Sequence, residues 1–131
     1  VESYLAREVH RFFDSLLDDL PSDAIGPEIV VEVVASSIER AGRHPVLAKA
    51  LADEPELVAR LAYANLGVLI DHVRRVIAAG LSVLAATGTV AVVDADIVAD
   101  WVARFGLTAL VEPPEDLRRS LRSWLVPLLS P

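Results

Sequence analysis

The feature that most constrains this chain is the stretch from about residue 53 to Ala86, which reads as one helix of roughly 30 residues at 3.6 residues per turn. At 100° per residue, Val58, Leu61, Leu69, Ile70, Val73 and Ile77 fall on one apolar arc. Ala62, Leu66, Val68, Val76 and Leu84 lie on the same arc, which spans roughly 200°, about twice what a surface helix needs to dock one side. The expectation is a central helix with neighbours on two flanks. Asp53-Glu54-Pro55-Glu56 opens it, acidic residues suiting the positive end of a helix, and Thr87-Gly88 closes it.

The remaining segments repeat the same periodicity. Leu5, Val9, Phe12, Phe13, Leu16 and Leu20 predict a helix over about residues 2–20, stopped by Pro21-Ser22-Asp23. A second helix is expected from Ile25 to Gly42, with Ile29, Val33, Ser37 and Ala41 on one face and Gly42 as the breaker. His44-Pro45 starts a short third over about 45–52. Thr89 to Val93 is β-branched and reads as a linker, with Asp94 as N-cap of a helix over 95–111. A last helix is expected over about 114–126, after Pro113-Pro114 and ended by Pro127 and Pro131. The fold class is therefore all-α: about six helices forming one domain, 1–131, as an antiparallel bundle.

The 95–111 helix is apolar almost all round. A 131-residue chain has little volume in which to bury a helix completely. Either the helix is fully internal in a monomer, or a second subunit covers it, with this helix and the last one forming the contact. The second is the simpler remedy, and Val98, Val102, Phe105, Leu117, Leu121 and Trp124 are then the expected interface. The composition agrees, with 53% hydrophobic and 24% charged residues and a mean hydropathy of +0.46, high for a chain of this size. A membrane span does not explain the excess. The uncharged run Val76 to Val93 holds two Gly and three Ser/Thr and falls short of about 20 apolar residues. No basic-then-apolar leader opens the chain, and no cysteine supplies thiolate or disulfide chemistry, so a cytoplasmic protein is expected. With no methionine, and a start already in helical periodicity, the sequence reads as part of a longer protein. Eleven of its twelve basic residues are Arg, a bias of high-GC bacterial coding sequences.

Chemistry is sparse. Nucleophile-elbow, phosphate-loop, His-Glu-x-x-His and zinc-type spacings are all missing from the sequence, so no enzyme, metal or cofactor is expected. His10, His44 and His72 fall on three different helices. A net charge of −7 speaks against these residues gripping phosphates. What remains is Asn65 and His72, two turns apart on an aliphatic face. Either both are core polar groups bonded to neighbouring helices, or they anchor a ligand among apolar walls. Leu69, Trp101, Thr108 and Ser37 complete the candidate lining. Arg104 reads as an intrahelical partner of Asp100, and Arg118, Arg119 and Arg122 as a solvated face.

Three phrases carry a resemblance. Val34-Ala-Ser-Ser-Ile-Glu-Arg-Ala-Gly-Arg-His-Pro-Val-Leu-Ala-Lys-Ala-Leu-Ala-Asp-Glu-Pro-Glu-Leu57 resembles the C-terminal regulatory domain of TetR-type transcriptional repressors, as in actinobacterial members. So do Thr87-Gly-Thr-Val with Asp94-Ala-Asp-Ile-Val-Ala-Asp-Trp-Val-Ala-Arg-Phe105, and Leu117-Arg-Arg-Ser-Leu-Arg-Ser-Trp-Leu-Val-Pro-Leu-Leu129. The resemblance implies a helix-turn-helix module ahead of Val1, through which alone operator DNA is bound. It also implies a homodimer whose last two helices form a four-helix dimer bundle, and an effector pocket between the first, second, long and 95–111 helices. A small, mostly apolar ligand would lower operator affinity by population shift. No ligand contact carries over by motif. The alternative is a stand-alone helical dimer that binds other proteins and no ligand.

Overall fold

A computed structural model of the chain describes residues 7, 11, 25–92 and 94–131. Among them are six helices and no strand: α1 Pro27–Arg43, α2 Pro45–Asp53, α3 Pro55–Ala64, α4 Leu66–Ala86, α5 Ala95–Val111 and α6 Leu117–Leu129. The expected 2–20 helix lies outside the described residues, apart from Arg7 and Arg11.

Proline and aspartate start these helices. Pro27, Pro45 and Pro55 stand in the first turn of α1, α2 and α3, where a missing N–H costs nothing. Asp94 caps α5, its Oδ1 accepting from the backbone N–H of Asp96 and Ile97 at 3.1 Å each. Asp116 caps α6 through the Arg119 N–H. Asp94→Ala is expected to cost about 1 kcal/mol of unfolding free energy, with Asp94→Asn close to neutral, both read by urea denaturation.

Three boundaries differ from expectation. The long helix is broken at Asn65, whose φ of −111° and ψ of 10° leave the helical well. Its side-chain Nδ2 donates to the Leu61 carbonyl at 2.8 Å, the local competition by which Asn disfavours helix interiors. The backbone bonds Asn65 N to Leu61 O and Leu69 N to Asn65 O persist, so the break is a kink. Gly42 does not stop α1. His44, held extended ahead of Pro45, ends it one residue later. Pro127 lies inside α6 rather than ending it, and Pro113-Pro114 stays in the preceding turn. Burial of Leu121, Leu125 and Leu129, each 0% exposed, offsets the bond that Pro127 removes.

Packing follows from the buried faces. The core joins Val30, Val31, Val34 and Ala35 of α1, Leu81 of α4, Ala99 and Val102 of α5, and the three α6 leucines, with Val90 of the linker. α1 and α6 run antiparallel, since Arg118 reaches Glu32 and Glu39 while Arg122 reaches Glu28. α1 and α5 run parallel: Gly106 faces Ile38 and Gly42 faces Leu110. α4 lies chiefly on α5, and Leu61, Leu66 and Val68 remain exposed, so the two-flank expectation is not met among the described helices. Gly88, at φ +76°, turns the chain out of α4, and Ala91 N–H then bonds the Leu129 carbonyl at 2.9 Å. That bond fastens the linker to the end of α6. α2 and α3 contribute no buried residue.

Candidate functional site

The six candidate lining residues are spread over four places in the fold. Asn65 is exposed at the α3–α4 kink, with its amide turned back to Leu61. Being at the kink, it no longer shares one regular helix with His72, which sits half-buried on α4 near half-buried Leu69. Ser37 on α1 is half-buried, its hydroxyl donating to the Val33 carbonyl at 2.6 Å. Trp101 is 62% exposed on the outer side of α5. Thr108, one helical face with it, donates to the Arg104 carbonyl at 3.0 Å. Arg104 makes the expected pair with Asp100, 2.8 Å. No buried polar side-chain atom among the described residues lacks a partner. The expected pocket also draws on the 2–20 segment, which lies outside the described residues.

The six expected interface residues sit on α5 and α6 at different depths. Val102 and Leu121 are 1% and 0% exposed and lie in the chain's own core. Val98, Phe105, Leu117 and Trp124 pack against that core, with Phe105 and Trp124 meeting edge to face at 6.2 Å and 67°. These side chains join α5 and α6 to their own bundle and leave no surface for a second copy at Val102 or Leu121. The outward side of α5 carries Ile97, Trp101 and Val111 instead, all more than half exposed. A helix apolar all round gives no sequence signal for which side faces inward.

One constellation escaped the sequence reading. Arg118 and Arg122, although 36% and 50% exposed, do more than face solvent: both bridge α6 to α1. Arg118 donates to both oxygens of Glu39 at 2.8 and 2.9 Å, and its Nε reaches Glu32 at 3.2 Å; Arg122 Nε reaches Glu28 at 3.0 Å. The hydrogen bonds from Arg118 hold the Glu39 carboxyl below its usual range; partial burial opposes this, and the charges of Arg118 and Arg43 reinforce it. The same partners push the Arg118 guanidinium upward. The signal was present: Glu28, Glu32 and Glu39 share a face at helical spacing, as do Arg118 and Arg122.

Beside this ladder lies a cleft of about 390 Å³ between the ends of α1 and α5 and the turn into α6. Ile38, Leu110, Pro113, Pro114 and Leu117 form apolar walls, and Glu39, Glu115, Asp116 and Arg118 supply the polar lining. None of the six candidate lining residues borders it. No group of three or more His, Cys, Asp or Glu able to hold a metal occurs among the described residues. No described helix is long and apolar enough to cross a membrane.

Comparison with known proteins found no match: no family model, no curated protein and no solved structure.

Proposed function

We propose that the chain is the effector-sensing and dimerisation domain of a TetR-like transcriptional repressor. The observation that carries this reading is the match between the three sequence phrases and the helical segmentation. The first covers the second half of α1, all of α2 and the start of α3; the second takes in the turn at residues 87–90 after α4, then the Asp94 cap and most of α5; the third, with Pro113-Pro114 ahead of it, runs along α6. In this reading the protein is cytoplasmic and homodimeric, and touches its operator only through a helix-turn-helix module outside these residues. The −7 charge of this part suits such a division of labour. A small, mostly apolar effector shifts the dimer away from DNA-binding geometry by binding one state better than the other.

Two measurements test it. A thermal-shift screen of apolar metabolites is expected to find stabilising binders whose effect weakens in Asn65→Leu or His72→Phe. Binding untouched by either change removes both residues as anchors. Dimerisation is expected to use the outward side of α5, so Trp101→Asp should convert a dimer to a monomer at micromolar concentration in sedimentation. A wild-type monomer would end the dimer reading. The codons ahead of Val1 decide the repressor assignment, which fails if they encode no basic helix-turn-helix. The competing reading, a protein-interaction module without ligand, draws on the exposed Leu57, Leu61 and Tyr63 of α3.

A further inference from the structure

We propose that the cleft beside the Arg118 ladder is a binding site for a small organic cation, an ammonium or amidinium carried on an apolar body. This goes beyond the repressor reading and stands or falls without it. The cleft has the size of a small-molecule site, within the usual range of about 300–1,000 Å³. Its walls are hydrocarbon: Ile38, Leu110, the Pro113-Pro114 pair and Leu117. Both prolines hold that wall with little conformational freedom left to lose on binding.

Charge selects the occupant. One guanidinium, Arg118, serves two carboxylates, Glu32 and Glu39, and Arg43 acts on Glu39 only through its charge. Glu115, exposed at the turn, makes no hydrogen bond or ion pair with any described residue. Asp116 uses Oδ1 on the Arg119 N–H and keeps its negative charge at the same edge. All of the Arg118 side-chain hydrogen bonds go to Glu32 and Glu39, so this guanidinium is not offered to an anion. In the cleft lining the three carboxylates of Glu39, Glu115 and Asp116 outnumber it, which favours a cation above the apolar floor. An ammonium near Glu115 and Asp116 with its hydrocarbon against Leu110 and Leu117 satisfies both demands.

The test uses phenethylammonium chloride as probe on the full chain, with 2-phenylethanol and 3-phenylpropionate as matched neutral and anionic controls. Amide chemical shifts and calorimetry are the readouts. The ammonium is expected to saturate at millimolar concentration, to perturb residues 38–42 and 109–118, and to bind about tenfold tighter than the alcohol. Glu115→Gln combined with Asp116→Asn keeps the helix cap, since Asn caps as well as Asp, and should weaken the ammonium about three- to tenfold while leaving the alcohol unchanged. The proposal is overturned by no saturation up to about 10 mM, by equal affinity for alcohol and ammonium, by perturbations mapping elsewhere, or by a double variant that binds as the wild type does.

Discussion

Leu121→Ala is expected to lower the unfolding free energy by about 2–5 kcal/mol, the largest effect of any single truncation considered for this chain. Leu121 is 0% exposed and belongs to the same core cluster as the α1 valines, with Leu125 and Leu129 one and two turns on. Removing its isobutyl group forfeits the transfer free energy and leaves a cavity that rigid neighbours on α1 cannot fill. The measurement is urea denaturation at several protein concentrations. A midpoint that drops by the same amount at each concentration places Leu121 in the core of one chain. A loss that vanishes at high concentration would instead make it an interface residue, as its sequence position alone had suggested, and would contradict the observed packing.

Arg118→Met is expected to cost about 1–2 kcal/mol at neutral pH. Methionine keeps the hydrocarbon stem, so the loss reports on the guanidinium. The figure is held low because the side chains of Arg118 and Glu39 are 36% and 38% exposed, and abandoned carboxylates can rehydrate. The pH dependence has a definite sign. The folded-state pKa of Glu39 lies below the ordinary value of 4.5. Between the two values the unfolded chain binds more protons, so stability rises with pH there. The contribution is complete above about 4.5 and is lost as pH falls through the folded value. The wild type should therefore lose its advantage over Arg118→Met on acidification from pH 6 towards pH 3, and also at high salt. A constant difference across that range would detach the ladder from the stability of the α1–α6 pair.

Much of the fold was legible because its signals are local. Helical period, the prolines at 45 and 55, and the Asp94 cap depend on neighbours within a turn, and the helix of Ala95–Val111 matches its expected bounds. The misplaced boundaries have different causes. At Asn65 a single side-chain bond to Leu61 outweighed a continuous apolar arc, while at Pro127 burial of Leu125 and Leu129 outweighed a breaker. The candidate site was less legible still. Spacing placed Asn65 with His72, yet the kink exposes the first and leaves the second half-buried. The Arg118 cluster joins residues 79 and 86 positions apart, a distance over which periodicity carries no information.

The sequence by itself determined that this chain is helical, where most helices begin, and that apolar surface exceeds what one face per helix requires. Only the tertiary structure decided how that surface is spent. Ala99, Val102, Ala103 and Ala109 turn inward and Ile97, Trp101 and Val111 turn out, although all are apolar. The physical reason is steric. Ala99, Val102, Ala103 and Ala109 fill the buried side of α5, where a tryptophan's bulk would hold the neighbouring helices apart.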